Sequence, residues 1–269
     1  MKNTVLSKDG TTIVYDKEGE GPAVILVDGA LCTRSFGSKP ELVNLLAAHF
    51  TVYSYDRRGR GDSGDTKPYA LEREVEDIKA LVEEAHEAVF LYGHSSGAAL
   101  ALEATIRLGE NIKMLAMYEA PYNEDDDDEA RRAWEEYIKQ LADLLASDRR
   151  GDAVALFMNV VGTPADQIEA MRQAPFWTSL EAIAPTLAYE YAVLGEDGSV
   201  PIERAARVQV PALVMYGSAS DASVYDTAQT LCHAIPHAHL STLKDQMHTV
   251  SPDVLAPVLI QFFSEEGQR

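Results

Sequence analysis

Phe90-Leu91-Tyr92-Gly93-His94-Ser95-Ser96-Gly97-Ala98-Ala99-Leu100 joins a short apolar run to a segment rich in strong helix formers. Ala88 to Leu91 has the brevity of a buried strand, and Ala98 to Leu108 reads as a helix. Between them stands Gly93-x-Ser95-x-Gly97. In a strand-turn-helix setting this spacing makes a serine an exposed nucleophile, because the turn is too tight for a side chain at either flanking position. Taken alone the five residues have a second reading. Small residues also pack helices onto sheets, and Ser95 could cap the helix that follows. Companion residues elsewhere in the chain must decide.

Upstream, Thr11 to Tyr15 follows the turn dipeptide Asp9-Gly10 and predicts the second strand of a hairpin. Ala23-Val24-Ile25-Leu26-Val27 is continuous and β-branched, the pattern of a strand covered on both faces, and it ends in Asp28-Gly29-Ala30-Leu31. Lys39 to His49 reads as a helix and Phe50 to Tyr55 as the next strand. A charged helix over Leu71 to His86 places Val75, Ile78, Leu81 and Val82 on one face. This alternation predicts an α/β fold with right-handed crossovers and a mostly parallel sheet.

Downstream of the elbow, Ile112 to Tyr118 is another buried strand, closing at Glu119-Ala120-Pro121. The pattern then turns helical from Asn123 to about Ser199, beginning with the acidic block Glu124 to Glu129. Alternation resumes at Val210 to Tyr216. The expected layout is therefore a core over 1–120, a helical insertion over 121–199 and a second core part over 200–269. Consecutive carboxylates point in different directions around a helix, so the acidic block reads as a solvated helix N-terminus.

The 269 residues are 46% hydrophobic, enough for a large core. A formal net charge of -20, with a pI near 4.6, repels phosphate backbones and anionic surfaces, which excludes nucleic-acid and peripheral membrane binding. Neither the start of the chain nor any later run has the length of a signal or membrane-spanning segment, and a cytoplasmic protein is expected. Cys32 and Cys232 lie outside any ligand spacing, so no metal site and no disulfide framework is expected.

Asp221, four residues after Gly217, and His248, before the last helix, fall in loops that follow predicted strands. In an open parallel sheet such loops converge on one edge, and the chain order Ser95, Asp221, His248 fits a nucleophile elbow with its two partners. With the elbow and the stretch Asp56-Arg57-Arg58-Gly59-Arg60-Gly61-Asp62-Ser63, these residues resemble the α/β-hydrolase fold superfamily over nearly the full length. The Asp-x-Arg-Gly-x-Gly-x-Ser pattern is common in esterases, dehalogenases and related members. The resemblance implies the α/β-hydrolase fold: a mostly parallel, eight-stranded-type sheet flanked by helices, with a helical cap insertion.

The resemblance also implies roles. Ser95 would attack, His248 would take its proton, and Asp221 would orient the imidazole. The backbone N–H groups of Ala30 and Ser96 would hold the oxyanion. Glu119 occupies a position from which some members supply the acid. Asp221 is taken instead for its commoner Gly-x-x-x-Asp setting, and Glu119 becomes a pocket wall or loop anchor. Many relatives have His-Gly where this chain has Asp28-Gly29. Asp28 is expected to support the loop by accepting backbone hydrogen bonds, against the sharper reading that its charge opposes the oxyanion. Leu31 and Trp177 are candidate pocket residues. His94 is structural, Arg57 and Arg58 are loop anchors, and His237 and His239 lack a third ligand.

The expectation is a cofactor-free serine hydrolase of a small carboxylic ester or lactone, monomeric or a small homo-oligomer. Serine at the elbow argues against dehalogenase and epoxide hydrolase chemistry, which attacks with a carboxylate. Alternatives with the same residues are a carbon-carbon bond hydrolase, a thioesterase or acyltransferase, a perhydrolase, and a non-catalytic ligand-binding member.

Overall fold

The structure is a computed structural model that describes residues 2–35, 39–123, 128–195 and 197–265. Eight strands, β1 (Asn3–Leu6), β2 (Thr12–Glu18), β3 (Ala23–Val27), β4 (Thr51–Tyr55), β5 (Val89–His94), β6 (Ile112–Tyr118), β7 (Ala212–Gly217) and β8 (Ala238–Leu243), form one sheet in the order β1-β2-β4-β3-β5-β6-β7-β8. The hairpin β1-β2 and the β2-β4 pair are antiparallel, and all pairs from β4 to β8 are parallel. The sheet therefore aims the C-terminal ends of β3, β5, β6, β7 and β8 at one edge, where helix-connected loops collect.

The inner strands are central because they are almost wholly buried, whereas β1, β2 and β8 toward the edges keep exposed polar residues. Every residue of β3 is buried, as are Val89 to Gly93 of β5. On one face, α2 (Leu71–Ala85), α3 (Ser96–Leu108) and α10 (Ala222–Ala234) contribute Ile78, Leu81, Leu100 and Leu231 to a core shared with Ile25, Leu91 and Val214. On the other, α1 (Lys39–Leu46) and α11 (Pro252–Ser264) close over Val24, Phe90 and Met215. There the Phe90 and Phe263 rings stack at 4.7 Å between centroids.

Between β6 and β7 lie α4 (Asp128–Ala146), α5 (Arg150–Val160), α6 (Ala165–Arg172), α7 (Trp177–Ile183), α8 (Leu187–Leu194) and the short α9 (Ile202–Ala205). Helices α4 to α8 share an apolar cluster of their own, with Leu141, Val154, Leu180 and Leu187 at its centre, and Leu31 from the loop after β3 packs into it. The ends of the segment meet in a parallel bridge between Asn123 and Ser199, with Asn123 N–H donating to the Gly198 carbonyl at 2.8 Å. Of the acidic block, residues 124–127 lie outside the described residues. Among the described residues no helix is long and apolar enough to cross a membrane.

Candidate active site

Ser95 sits at φ 56°, ψ -131°, outside the regions an L-residue prefers, at the turn from β5 into α3. Such a conformation costs about 1–3 kcal/mol and is held only where the surroundings dictate it. Here they do. A Cβ on Gly93 would lie 2.4 Å from the Gly97 carbonyl oxygen, and one on Gly97 would lie 2.2 Å from the Val27 carbonyl oxygen. Strand β3 and helix α3 therefore approach more closely than any side chain allows. Ser95 N–H donates to the Tyr118 carbonyl at 2.9 Å, which fixes the turn to the end of β6.

The loop after β3 lies directly against the serine. A Cβ added at Gly29 would fall 2.8 Å from Ser95 Cβ and 3.4 Å from Oγ. Ala30 N–H has no acceptor among the described residues. The next residue, Leu31, takes φ 54°.

His248 lies in the loop between β8 and α11. Tyr118 Oη donates to the Met247 carbonyl at 2.6 Å, and Ala219 N–H donates to the Gln246 carbonyl at 2.9 Å, so the loop is tied to β6 and to the loop after β7. The His248 and His94 rings are 4.9 Å apart, and His94 Nε2 is 3.0 Å from the His248 carbonyl oxygen. A carbonyl only accepts, so His94 carries its proton on Nε2. Among the described residues Ser95 Oγ and the His248 ring make no hydrogen bond; the histidine loop meets the elbow through His94, the residue before Ser95. Catalytic hydrogen bonds are often long without substrate.

The carboxylate on this imidazole is Glu119. His248 Nδ1 is 2.8 Å from Glu119 Oε2, while Oε1 accepts from Gly217 N–H at 2.9 Å and from Ser220 Oγ at 2.6 Å. Burial opposes ionisation of Glu119, but the hydrogen bonds from His248, Ser220 and Gly217 outweigh it and hold the carboxyl below its usual value of 4.5. The imidazole's carboxylate partner is therefore Glu119 and not the expected Asp221. Asp221 is the exposed residue that precedes α10, four positions beyond the end of β7, whereas Glu119 stands immediately at the end of β6 with its side chain buried. Strand adjacency decides, because β6 ends beside the elbow.

Asp28 also departs from expectation. Its carboxylate pairs with the buried ammonium of Lys39 instead of accepting backbone N–H groups. The pairing offsets the carboxylate's charge within the loop after β3. Trp177 packs inside the helical segment, with Nε1 donating to Glu181 at 3.0 Å and the Arg172 guanidinium over its ring, and it does not line the cavity beside Asp28. Leu31 is buried under the same helices. His237 and His239 are exposed, and no cluster of three metal-ligating side chains occurs among the described residues.

The loop Asp56 to Ser63 carries buried cations that the sequence shows only as charge. Arg57 donates from Nε and Nη2 to the two oxygens of Glu74, each at 2.7 Å. Arg58 is similarly forked onto Asp77. Both are anchors, as expected. Arg60, which the sequence reading passed over, is 1% exposed and binds Glu190 of α8 and the Gly29 carbonyl. Its flanking glycines were the available signal: Gly59 at φ +76° and Gly61 at φ +52° turn the chain so that Arg60 points inward.

A cavity of about 240 Å³ opens beside the site, lined by Asp28, Lys39, Cys32, Tyr92, His94 and Thr249 among others. A wider depression of about 560 Å³ between α5 and α7 shares no residue with it and is ringed by paired charges, including Arg149 and Asp152. The smaller one borders the elbow at His94 and the histidine loop at Thr249, but neither Ser95 nor His248 is among the residues that line it.

The model of a family described as the alpha/beta hydrolase family matches residues 29–258. A crystal structure of an alpha/beta hydrolase from Sphaerobacter thermophilus is 50% identical, superposes with a TM-score of 0.87, and is covered over its full length by 97% of this chain. A zearalenone hydrolase from Cladophialophora bantiana is 22% identical over 76% of this chain and 88% of its own. An uncharacterized hydrolase from Bacillus subtilis is 29% identical, over 44% of this chain and 45% of that protein. The enol-lactonase of Burkholderia xenovorans, at 22% identity and a TM-score of 0.69, shares the fold.

Proposed function

The chain belongs to the alpha/beta hydrolase family and is a hydrolase, and from that premise we propose that it cleaves a small carboxylic ester or lactone through an acyl-serine intermediate. The observation that carries the reading is the 2.8 Å contact of Glu119 with His248 Nδ1, in a loop that lies against the Ser95 elbow. With Nδ1 engaged as donor, Nε2 is left as the basic nitrogen. It takes the proton of Ser95 as Oγ adds to the carbonyl, and returns it to the departing alkoxide when the tetrahedral intermediate collapses. Water then attacks the acyl ester with the same base.

The N–H groups of Ala30 and Ser96 receive the oxyanion. Glu119 replaces Asp221 in this reading because a tautomer is held only by the carboxylate that touches the ring. Helices α4 to α8, within the insertion at 121–199, form a cap that sets the substrate range and excludes water. Two relatives carry names for zearalenone and enol-lactone hydrolysis, which supports lactones as well as open esters. The test is a panel of short p-nitrophenyl esters and aliphatic lactones with wild type and Ser95→Ala. Turnover that vanishes in the variant supports the reading, and turnover that persists refutes it.

A further inference from the structure

Four charges are buried where a fold gains little from burying them: Arg57, Arg60, Glu74 and Glu190 are each at most 4% exposed. Replacing such a network by apolar residues is often neutral or stabilising, so stability is a weak reason for its presence. Its outputs are more telling. Arg60 Nη1 donates to the Gly29 carbonyl at 2.6 Å, and Arg57 Nη1 donates to the Asp28 carbonyl at 3.2 Å. Both carbonyls belong to the loop that lies against Ser95. The carboxylate behind both guanidiniums is Glu190, 3.2 Å from Arg57 Nη1 and in direct contact with Arg60 Nη2.

The Gly29 carbonyl and the Ala30 N–H are two ends of one peptide unit. The unit is trans and planar, so a donor fixed on the oxygen fixes the direction of the N–H, which points the opposite way. A cationic donor on the oxygen also polarises the unit and strengthens the N–H as a donor. We propose that Arg60 and Glu190 are positioning residues for the oxyanion: Glu190 of α8 clamps the Arg60 guanidinium, and Arg60 holds the Gly29 carbonyl so that Ala30 N–H is turned toward the reacting centre. This rests on the acyl-serine reading above. The family motif does not supply the role, since Arg60 stands at a variable position of Asp-x-Arg-Gly-x-Gly-x-Ser. Because Glu190 comes from the helical insertion, the seating of α8 and the setting of the oxyanion donor become one arrangement.

The test compares wild type, Arg60→Met, Glu190→Gln and the double variant for kcat and KM on p-nitrophenyl acetate, and for inhibition by phenylboronic acid, whose tetrahedral adduct occupies the oxyanion site. Loss of one such donor costs about 10²–10³ in kcat. A mis-set donor in Arg60→Met is expected to cost about 10–100-fold, with KM changed less than about threefold and boronate inhibition weakened in proportion. Glu190→Gln acts through Arg60, so adding it to Arg60→Met is expected to lower kcat no further. Asp77→Asn, which breaks the Arg58 fork away from this loop, is expected to lower the melting temperature and leave kcat and boronate inhibition unchanged. If Arg60→Met does not fold, Glu190→Gln carries the comparison, since its amide keeps an acceptor for the guanidinium. An active wild type whose variants retain kcat, or lose it without losing boronate affinity, overturns the inference alone. A wild type that neither turns over esters nor is labelled at Ser95 by a fluorophosphonate removes the acyl-serine reading and this inference with it.

Discussion

His248 Nδ1 and Glu119 Oε2 are 2.8 Å apart, and the other oxygen of Glu119 is held by Gly217 N–H and Ser220 Oγ. The carboxylate is thus held by two donors besides the imidazole. Glu119→Gln keeps the shape but lets an amide replace the acceptor, favouring the wrong tautomer. Its kcat on p-nitrophenyl acetate is expected to fall about 10³–10⁴-fold. Asp221→Asn, at an exposed helix start, is expected to stay within about twofold. The reverse ranking would return the acid to Asp221.

Lys39 is 7% exposed and its charge is matched by Asp28. Removing one partner of a buried pair leaves the other uncompensated and costs about 3 kcal/mol. Lys39→Met is expected to lose about that much in urea denaturation and to lose activity, because the freed carboxylate lies two residues from Ala30. Lys39→Met with Asp28→Leu is expected to recover most of the stability. A double variant as unstable as Lys39→Met would show that the pair is not the origin of the loss.

Burial, and secondarily the neighbouring His248, push the His94 pKa down from 6.5 to about 4. Between those values the unfolded chain binds a proton that the folded chain refuses. This contribution to stability is full above pH 6.5 and is lost progressively as the pH falls toward about 4. Urea midpoints measured from pH 7.5 to 4 are expected to decline more steeply in wild type than in His94→Gln. Equal slopes would mean that His94 does not carry the effect.

The elbow and the histidine loop were legible in the sequence because each is local. Gly93, Ser95 and Gly97 fall within one turn, and His248 precedes an apolar helical repeat. The sheet was legible for the same reason, since Ala23 to Val27 and Ile112 to Tyr118 have no polar face. The acid was not. Glu119 and Asp221 end adjacent strands, and which one reaches the ring depends on the β6-β7 register and on the four-residue advance from Gly217 to Asp221. Lys39 and Glu190 were hidden because their partners lie 11 and 130 residues away, and charges in helical segments read as solvated until packing buries them.

Intact-mass and peptide analysis after treatment with a fluorophosphonate tests the nucleophile most directly. The expected result is one phosphonyl adduct per chain, on the peptide that contains Ser95, with hydrolysis lost in step with labelling and no adduct on Ser95→Ala. An adduct on another residue, or ester hydrolysis that continues at full rate once Ser95 is modified, would contradict it.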